Sequence, residues 1–347
     1  MKKEVIPYIK IEAKNNYDFG FKFGSKLKER IQYRIAKNRE LYKKRVVEPK
    51  EFSFYIKKAK NFLPTIKKTF PYSLEEMHGM SDGANVSFEE LLVMMCEDEI
   101  FDFKIYPLHC TSTAVKTKNN RILIGHNEDW FLEYRKNGFV LVRGKIKNNK
   151  FLSLSYIGKL VGSDCGLNKY GIAYTDNSLV VNRLSYKVPR AFHLRALLEA
   201  KSPEEAVKIL DTEGSTISST LIVWSNRKIM DVEELWSHDE IYEGVNWLAH
   251  TNHPLERENQ NIKNTPKESV IRYNKIKEIL SKKKDYDEEI LKKILKNHKA
   301  EICAHNRRYH PPSFTVTVAS VIMNPKDKWL LLCDTNPCKG AYKKYYL

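Results

Sequence analysis

This sequence predicts an α+β fold with an antiparallel sheet core, and three features predict it. The first hundred residues repeat apolar side chains at helical spacing. From Cys110 onward, short apolar or alternating runs follow one another directly. Strands and helices do not alternate in the βαβ rhythm of a parallel sheet.

Taken in order, Phe19, Phe23, Leu27 and Ile31 lie on one helical face, and the helical pattern continues to about Arg45. Asp82-Gly83 reads as a turn. Ser87 with Glu90 forms a capping box ahead of the apolar face of Leu91, Leu92, Met95 and Cys96. Strands are expected in "STAV", "RILIGHN", "FVLVRGKI", "FLSLSYI", "GIAYT", "TLIVW" and "KIMDVEEL". Two helices interrupt them near 189 to 211. The second opens on Ser202 as cap, Pro203 at the first helical position and Glu205 closing the box. Residues 266 to 298 read as two basic helices, and "FTVTVASVIM" and "KWLLLC" return to strand.

No linker or repeat divides the 347 residues, so a single domain is expected. A composition of 42% hydrophobic and 30% charged residues is ordinary for a globular chain. No apolar run approaches the ~18 residues of a membrane span. The basic start "MKKEVIPYIKIEAKNN" lacks the apolar core of a secretory signal, so the expected location is cytoplasmic, with no membrane partner. The formal charge of +17 invites a nucleic-acid reading. Basic residues are instead interleaved with acids, as in "KERIQYRIAKNRE", and no zinc-finger, RNP or helix-turn-helix signature is present. No nucleic-acid partner is expected. Cysteines 96, 110, 165, 303, 333 and 338 form no C-x-x-C pair and read as reduced thiols, most of them small buried hydrophobes.

"CTSTAVKTKNNRILIGHNEDW" carries the chemistry. Asn119-Asn120 accepts the positive φ of a hairpin turn. A turn centred between these residues places Cys110 directly opposite Asp129, with Ser112 and Asn127 on the same face. A three-residue loop would shift that register by one. The bland alternative makes Asp129 a turn residue ending its strand and Cys110 a buried filler.

"CTSTAV" followed by "GHNED" resembles the acyl-coenzyme A:6-aminopenicillanic acid acyltransferase family of N-terminal-nucleophile hydrolases, related to penicillin V acylases and bile salt hydrolases. The segment "PYSLEEMHGMSDGANVSFEEL", and later "CGLNKYGIAYTDNSL", "LAHTNHP", "SVIR", "EICAH" and "TVASVIMNP…CDTNPCKGAY", follow in the family's order and extend the likeness over nearly the whole chain. The resemblance implies a four-layer αββα sandwich of two antiparallel sheets. It also implies self-cleavage between His109 and Cys110, giving a mainly helical fragment 1–109 and a catalytic fragment 110–347 that stay together as a heterodimer. Cys110 would be the nucleophile, with its new α-amine as base. Asp129 would hold that amine, Asn252 and Asn177 would serve the oxyanion, and Arg272 would stand in the site. His126 and Glu128 occupy substrate-side positions filled differently in the acyltransferases and bile salt hydrolases. His109 stands where many relatives carry Gly.

The implied activity is a self-processing amidohydrolase or acyltransferase. It would act on a small-molecule linear amide or thioester, with no cofactor or metal, and with acyl-coenzyme A as a candidate acyl donor. Two rival classes are a metal protein, using His250 and His253 with Cys110, His126 or Cys303, and a basic nucleic-acid-binding module.

Overall fold

The computed structural model describes residues 6–101, 110–179, 186–212, 218–225, 227–234, 239–255, 267–305 and 315–347. A first strand, β1 (Tyr8–Ala13), precedes the helices α1 (Asn16–Lys26), α2 (Lys28–Arg45), α3 (Phe52–Lys60), α4 (Leu63–Thr69), α5 (Pro71–Ala84), α6 (Phe88–Met95) and α7 (Glu97–Ile100). Leu27 separates α1 from α2, where the sequence pattern reads as one helix. The Ser87 cap is in place, its side chain accepting from the Glu90 amide.

Asp82-Gly83 is the last turn of α5 rather than a loop, and the chain turns one step later at Asn85, with φ of 52°. The correction has a packing cause. Gly20 and Gly24 of α1 face Gly79 and Gly83 of α5. A Cβ on Gly79 would lie 2.0 Å from the Tyr17 carbonyl oxygen. These glycines serve close backbone approach, not turns.

The remaining strands are β2 (Thr111–Lys116), β3 (Ile122–Phe131), β4 (Phe139–Ile146), β5 (Asn149–Tyr156), β6 (Cys165–Asn168), β7 (Ile172–Ser178), β8 (Ser218–Trp224), β9 (Lys228–Glu234), β10 (Asp239–Gly244), β11 (Trp247–His250), β12 (Thr315–Asn324), β13 (Trp329–Cys333) and β14 (Lys343–Tyr346). Helices α8 (Arg190–Leu197) and α9 (Pro203–Leu210) follow β7, and α10 (Lys267–Ser281) and α11 (Glu288–Leu295) follow β11. One sheet has eight strands in the order β1-β4-β5-β6-β7-β8-β9-β10, and the other has six in the order β11-β2-β3-β12-β13-β14. The pairing is antiparallel throughout except between β1 and β4, which run parallel. β1 escapes a pattern search because it is a short edge strand with only Ile11 fully buried.

The two sheets face each other. α1 packs outside the larger sheet, with Phe19 against Phe151 of β5. α10 and α11 cover the smaller sheet, packing Ile276, Leu280, Leu291 and Ile294 against Val115, Leu123, Ile322 and Leu331. The result is helix, sheet, sheet, helix, the αββα sandwich that the family resemblance implies.

The β2–β3 register differs from the expected one. Ser112 pairs with His126 and Thr111 with Asn127, which sets Cys110 against Glu128 instead of Asp129. The loop holds three residues, 118–120, closed by Thr117 N–H to Arg121 O at 2.7 Å and by Asn120 at φ of 53°. A left-handed residue after a tight turn is the three-residue hairpin solution, and an odd loop moves every partner by one. Asp129 therefore points to the opposite face from Cys110. β12 carries a bulge between Thr317 and Ala319, opposite Glu128 and Asp129, where bulges commonly re-aim side chains.

Candidate active site

The pleat of β2 and β3 sends two sets of polar side chains to two faces. Cys110, Ser112, His126 and Glu128 point between the sheets. Thr111, Asn127 and Asp129 point to the helical layer. Both sets are buried.

On the inner face, the Cys110 thiol donates to Glu128 Oε2 at 3.2 Å. Glu128 also receives the Tyr156 hydroxyl of β5 and lies 3.1 Å from His126 Nε2. Asp164, just before β6, lies 3.5 Å from the same ring nitrogen. Burial opposes a charge on His126, but Asp164 and Glu128 outweigh it and lift the imidazole to about 10. The ring is therefore an imidazolium, and its Nδ1–H donates to Ser112 Oγ at 2.9 Å. Ser112 takes a second hydrogen bond from Thr175 and donates its own proton to Asn177 Oδ1 at 3.1 Å. That fixes the Asn177 amide with its nitrogen turned away. Among the described residues nothing accepts from Asn177 Nδ2, although it is buried. Leaving a buried donor unpaired costs about 1–3 kcal/mol, so such a group marks a place prepared for a partner.

On the outer face, Arg272 is fully buried on α10 rather than exposed among its basic neighbours. One guanidinium nitrogen donates to the Cys110 carbonyl at 2.7 Å and to Thr111 Oγ1 at 2.9 Å. The other donates to Asn252 Oδ1 at 2.8 Å. A guanidinium offers donors only, so the Asn252 atom facing it must be the oxygen. Asn252 Nδ2 then donates to the carbonyl of Ser178, next to Asn177, at 2.9 Å, and keeps its second N–H. Burial pushes the Asp129 carboxyl up to about 8, against the opposing pull of Thr317 and the Arg272 charge. No hydrogen bond of ordinary geometry reaches either Asp129 oxygen from the described residues. Burial likewise lowers Arg272 to about 10.

Burial raises the Cys110 thiol well above its usual range, and the nearby Glu128 and Asp129 charges raise it further. The thiol is therefore held in its protonated form, with Glu128 as the acceptor of its proton.

Cys110, Glu128, His126, Asn177, Asn252 and Arg272 thus come together, while His109 lies outside the described residues. Sequence reasoning missed Tyr156 and Asp164. Tyr156 ends β5 and Asp164 immediately precedes β6 of the facing sheet, and only the sandwich brings them near β3. Of the imagined metal ligands, Cys110 and His126 lie together beside Glu128, but His250, His253 and Cys303 do not join them. His250 binds Glu233 at 2.7 Å, His253 binds Ser269 at 2.8 Å, and Cys303 belongs to another cluster.

Two facing sheets between two helical layers, with a cysteine just ahead of an inner strand of the smaller sheet, make the N-terminal-nucleophile hydrolase fold. The chain belongs to the acyl-coenzyme A:6-aminopenicillanic acid acyl-transferase family, whose model matches residues 115–339. It is 31% identical over 217 residues to the beta-alanyl-dopamine/carcinine hydrolase of Drosophila melanogaster, covering 57% of this chain and 54% of that protein. It is 25% identical over 199 residues to the acyl-coenzyme A:6-aminopenicillanic-acid-acyltransferase 40 kDa form of Emericella nidulans, covering 55% and 54%. The chain spans about half the length of these curated relatives. Penicillin V acylase from Agrobacterium tumefaciens aligns with a TM-score of 0.50 at 14% identity, covering 69% of this chain and 86% of that chain, which is a likeness of fold. No helix among the described residues is long and apolar enough to cross a membrane.

Proposed function

We propose that the chain is a self-processing cysteine amidohydrolase or acyltransferase that works through an acyl-Cys110 intermediate. The observation that carries this reading is the double anchoring of Cys110. Its thiol rests on Glu128 on one face, and its carbonyl is held on the other by the guanidinium that also orients Asn252.

Maturation begins with the thiol giving its proton to Glu128. Sγ attacks the His109 carbonyl carbon, the C–N bond breaks, and the proton passes to the departing nitrogen. Water then hydrolyses the thioester, leaving Cys110 with a free α-amine. That amine has an ordinary pKa of about 8, close to that of a thiol, so it can take the thiol proton near neutral pH. The amine is a main-chain group and lies in the plane of the sheet. The thiol sits on one side of it and Asp129 on the other. The corrected register therefore keeps a role for Asp129, as the acceptor that holds the amine, and gives the thiol contact to Glu128.

In turnover the thiolate attacks the substrate carbonyl. The unpaired Asn177 Nδ2 and the second N–H of Asn252 receive the oxyanion, and the leaving amine takes the proton. Water or a second amine then releases the acyl group. His126 positions Asn177 through Ser112. The chemistry needs no cofactor, and acyl-coenzyme A is a candidate acyl donor.

The test is a screen of the purified protein against N-acyl amines, N-acyl amino acids and acyl-coenzyme A thioesters. N-β-alanyl amines come first, because the Drosophila relative is named for such compounds. Cys110→Ala should be inert on every substrate that the wild type cleaves. An active Cys110→Ala protein would end this reading.

A further inference from the structure

We propose that His298, Cys303, His305 and Cys338 bind one zinc ion behind the smaller sheet. His298, Cys303 and His305 lie in the segment after α11, and Cys338 lies in the loop after β13. The thiols of Cys303 and Cys338, which stand 35 positions apart in sequence, are 3.6 Å from each other. His305 Nε2 lies 3.6 Å from Cys303 Sγ, 3.3 Å from Cys338 Sγ and 3.2 Å from His298 Nε2. One ligand atom from each residue lies within 4.8 Å of the others.

These separations match the edges of a zinc tetrahedron. Bonds of about 2.3 Å to sulfur and about 2.05 Å to nitrogen give edges of about 3.75 Å between sulfurs, about 3.5 Å between sulfur and nitrogen, and about 3.35 Å between nitrogens. Two thiols and two imidazoles gathered within 4.8 Å of one another are a soft donor set suited to zinc. A second observation supports the site. Asn336 Nδ2 lies 3.7 Å from Cys303 Sγ, as an outer-shell donor to a bound thiolate would, and also donates to the Ala304 carbonyl at 2.6 Å. His298 is exposed, which gives the ion a way in.

The ion would be structural. It would clamp the segment after α11 to the loop after β13. Next to this clamp, Ala304 exchanges hydrogen bonds with Thr317, and Ile302 and Leu295 accept from Asn127 of β3. The site is separate from Cys110 and does not depend on the activity proposed above.

The experiment is metal analysis of the full chain purified without chelator, for wild type, Cys110→Ala, His298→Gln and Cys303→Ser/Cys338→Ser. The expected result is about one zinc per chain in wild type and Cys110→Ala, weakened retention in His298→Gln and loss in the double variant. Cobalt added to the metal-free wild type should give the intense visible bands of a tetrahedral thiolate site, which requires no variant to fold. Less than about one zinc in ten chains together with no tetrahedral cobalt spectrum would overturn the site. So would full zinc content in the double variant. A mass two hydrogens light under non-reducing conditions, locating a Cys303–Cys338 disulfide, would also overturn it.

Discussion

At the scale of single residues, the site rests on how two amides are held. Ser112 fixes the oxygen of Asn177, and Arg272 fixes the oxygen of Asn252. The two should respond differently to truncation. Asn177→Ala removes a donor that has no partner in the described structure. Turnover should fall by about 10²- to 10³-fold, and the denaturation midpoint should fall less than for Asn252→Ala, because the donor that loses its acceptor is the neutral Ser112 hydroxyl. Asn252→Ala also strips a hydrogen bond from a buried guanidinium, so it should lose both rate and about 1–3 kcal/mol of stability. Comparison of single-turnover acylation rates and urea midpoints for the two variants checks this. Equal destabilisation would show that the described partners do not decide the cost. Asp129→Asn keeps the shape but removes the carboxylate that should hold the α-amine. Its acylation rate should fall while substrate affinity holds, and unimpaired acylation would remove Asp129 from the proposed machinery. Much of this set was legible from motif order alone, since Cys110, Asp129, Asn177, Asn252 and Arg272 stand in recognisable segments. Tyr156 and Asp164 were not, because no local pattern says which strand of one sheet will face β3 across the sandwich.

At the scale of elements, helix caps and strand runs were legible in the sequence, because they depend on neighbouring residues. Ser87 and Ser202 both cap as expected. Register was the point of failure. Two adjacent Asn residues signal a turn but leave the loop length open, and only an odd loop brings Glu128 opposite the thiol. The left-handed Asn120 closes that loop. Asn120→Val should therefore cost about 1–2 kcal/mol and Asn120→Gly almost nothing, as read from urea midpoints. The four glycines of α1 and α5 also escaped the sequence reading, since "DG" is a turn signal only when nothing packs on it. Gly79→Ala would drive a methyl group into the Tyr17 carbonyl. It should cost about 1–3 kcal/mol by forcing the two helices apart. A neutral effect would show that their contact is looser than described.

At the scale of the whole molecule, the fold class followed from the order of helices and strands, while the parallel pairing of β1 with β4 did not. That pairing matters for processing. β1 lies ahead of the proposed cut, and β4 lies after it. Buried Glu76 of α5 also binds buried Arg195 of α8 across the cut at 2.8 Å. The fragments should therefore co-elute in native buffer and separate only on denaturation.

Stability should also depend on pH. His126, raised to about 10, stabilises the fold fully below its unfolded value, and that contribution is lost as pH rises through 10. Asp129, raised to about 8, and Asp164, raised to about 7, cost nothing at low pH and become costly as pH rises past their unfolded values. All three act in the same direction. The urea midpoint of uncut Cys110→Ala should fall between about pH 5 and about pH 9, and a rising midpoint would contradict the assigned protonation states.

The central claim is that Cys110 becomes a chain terminus and acts as one. Intact-mass spectrometry of the purified, active wild-type protein under denaturing conditions tests it most directly. The account predicts two species whose masses correspond to residues 1–109 and 110–347, and a single uncut species for Cys110→Ala. A homogeneous full-length chain that is nonetheless active would contradict it.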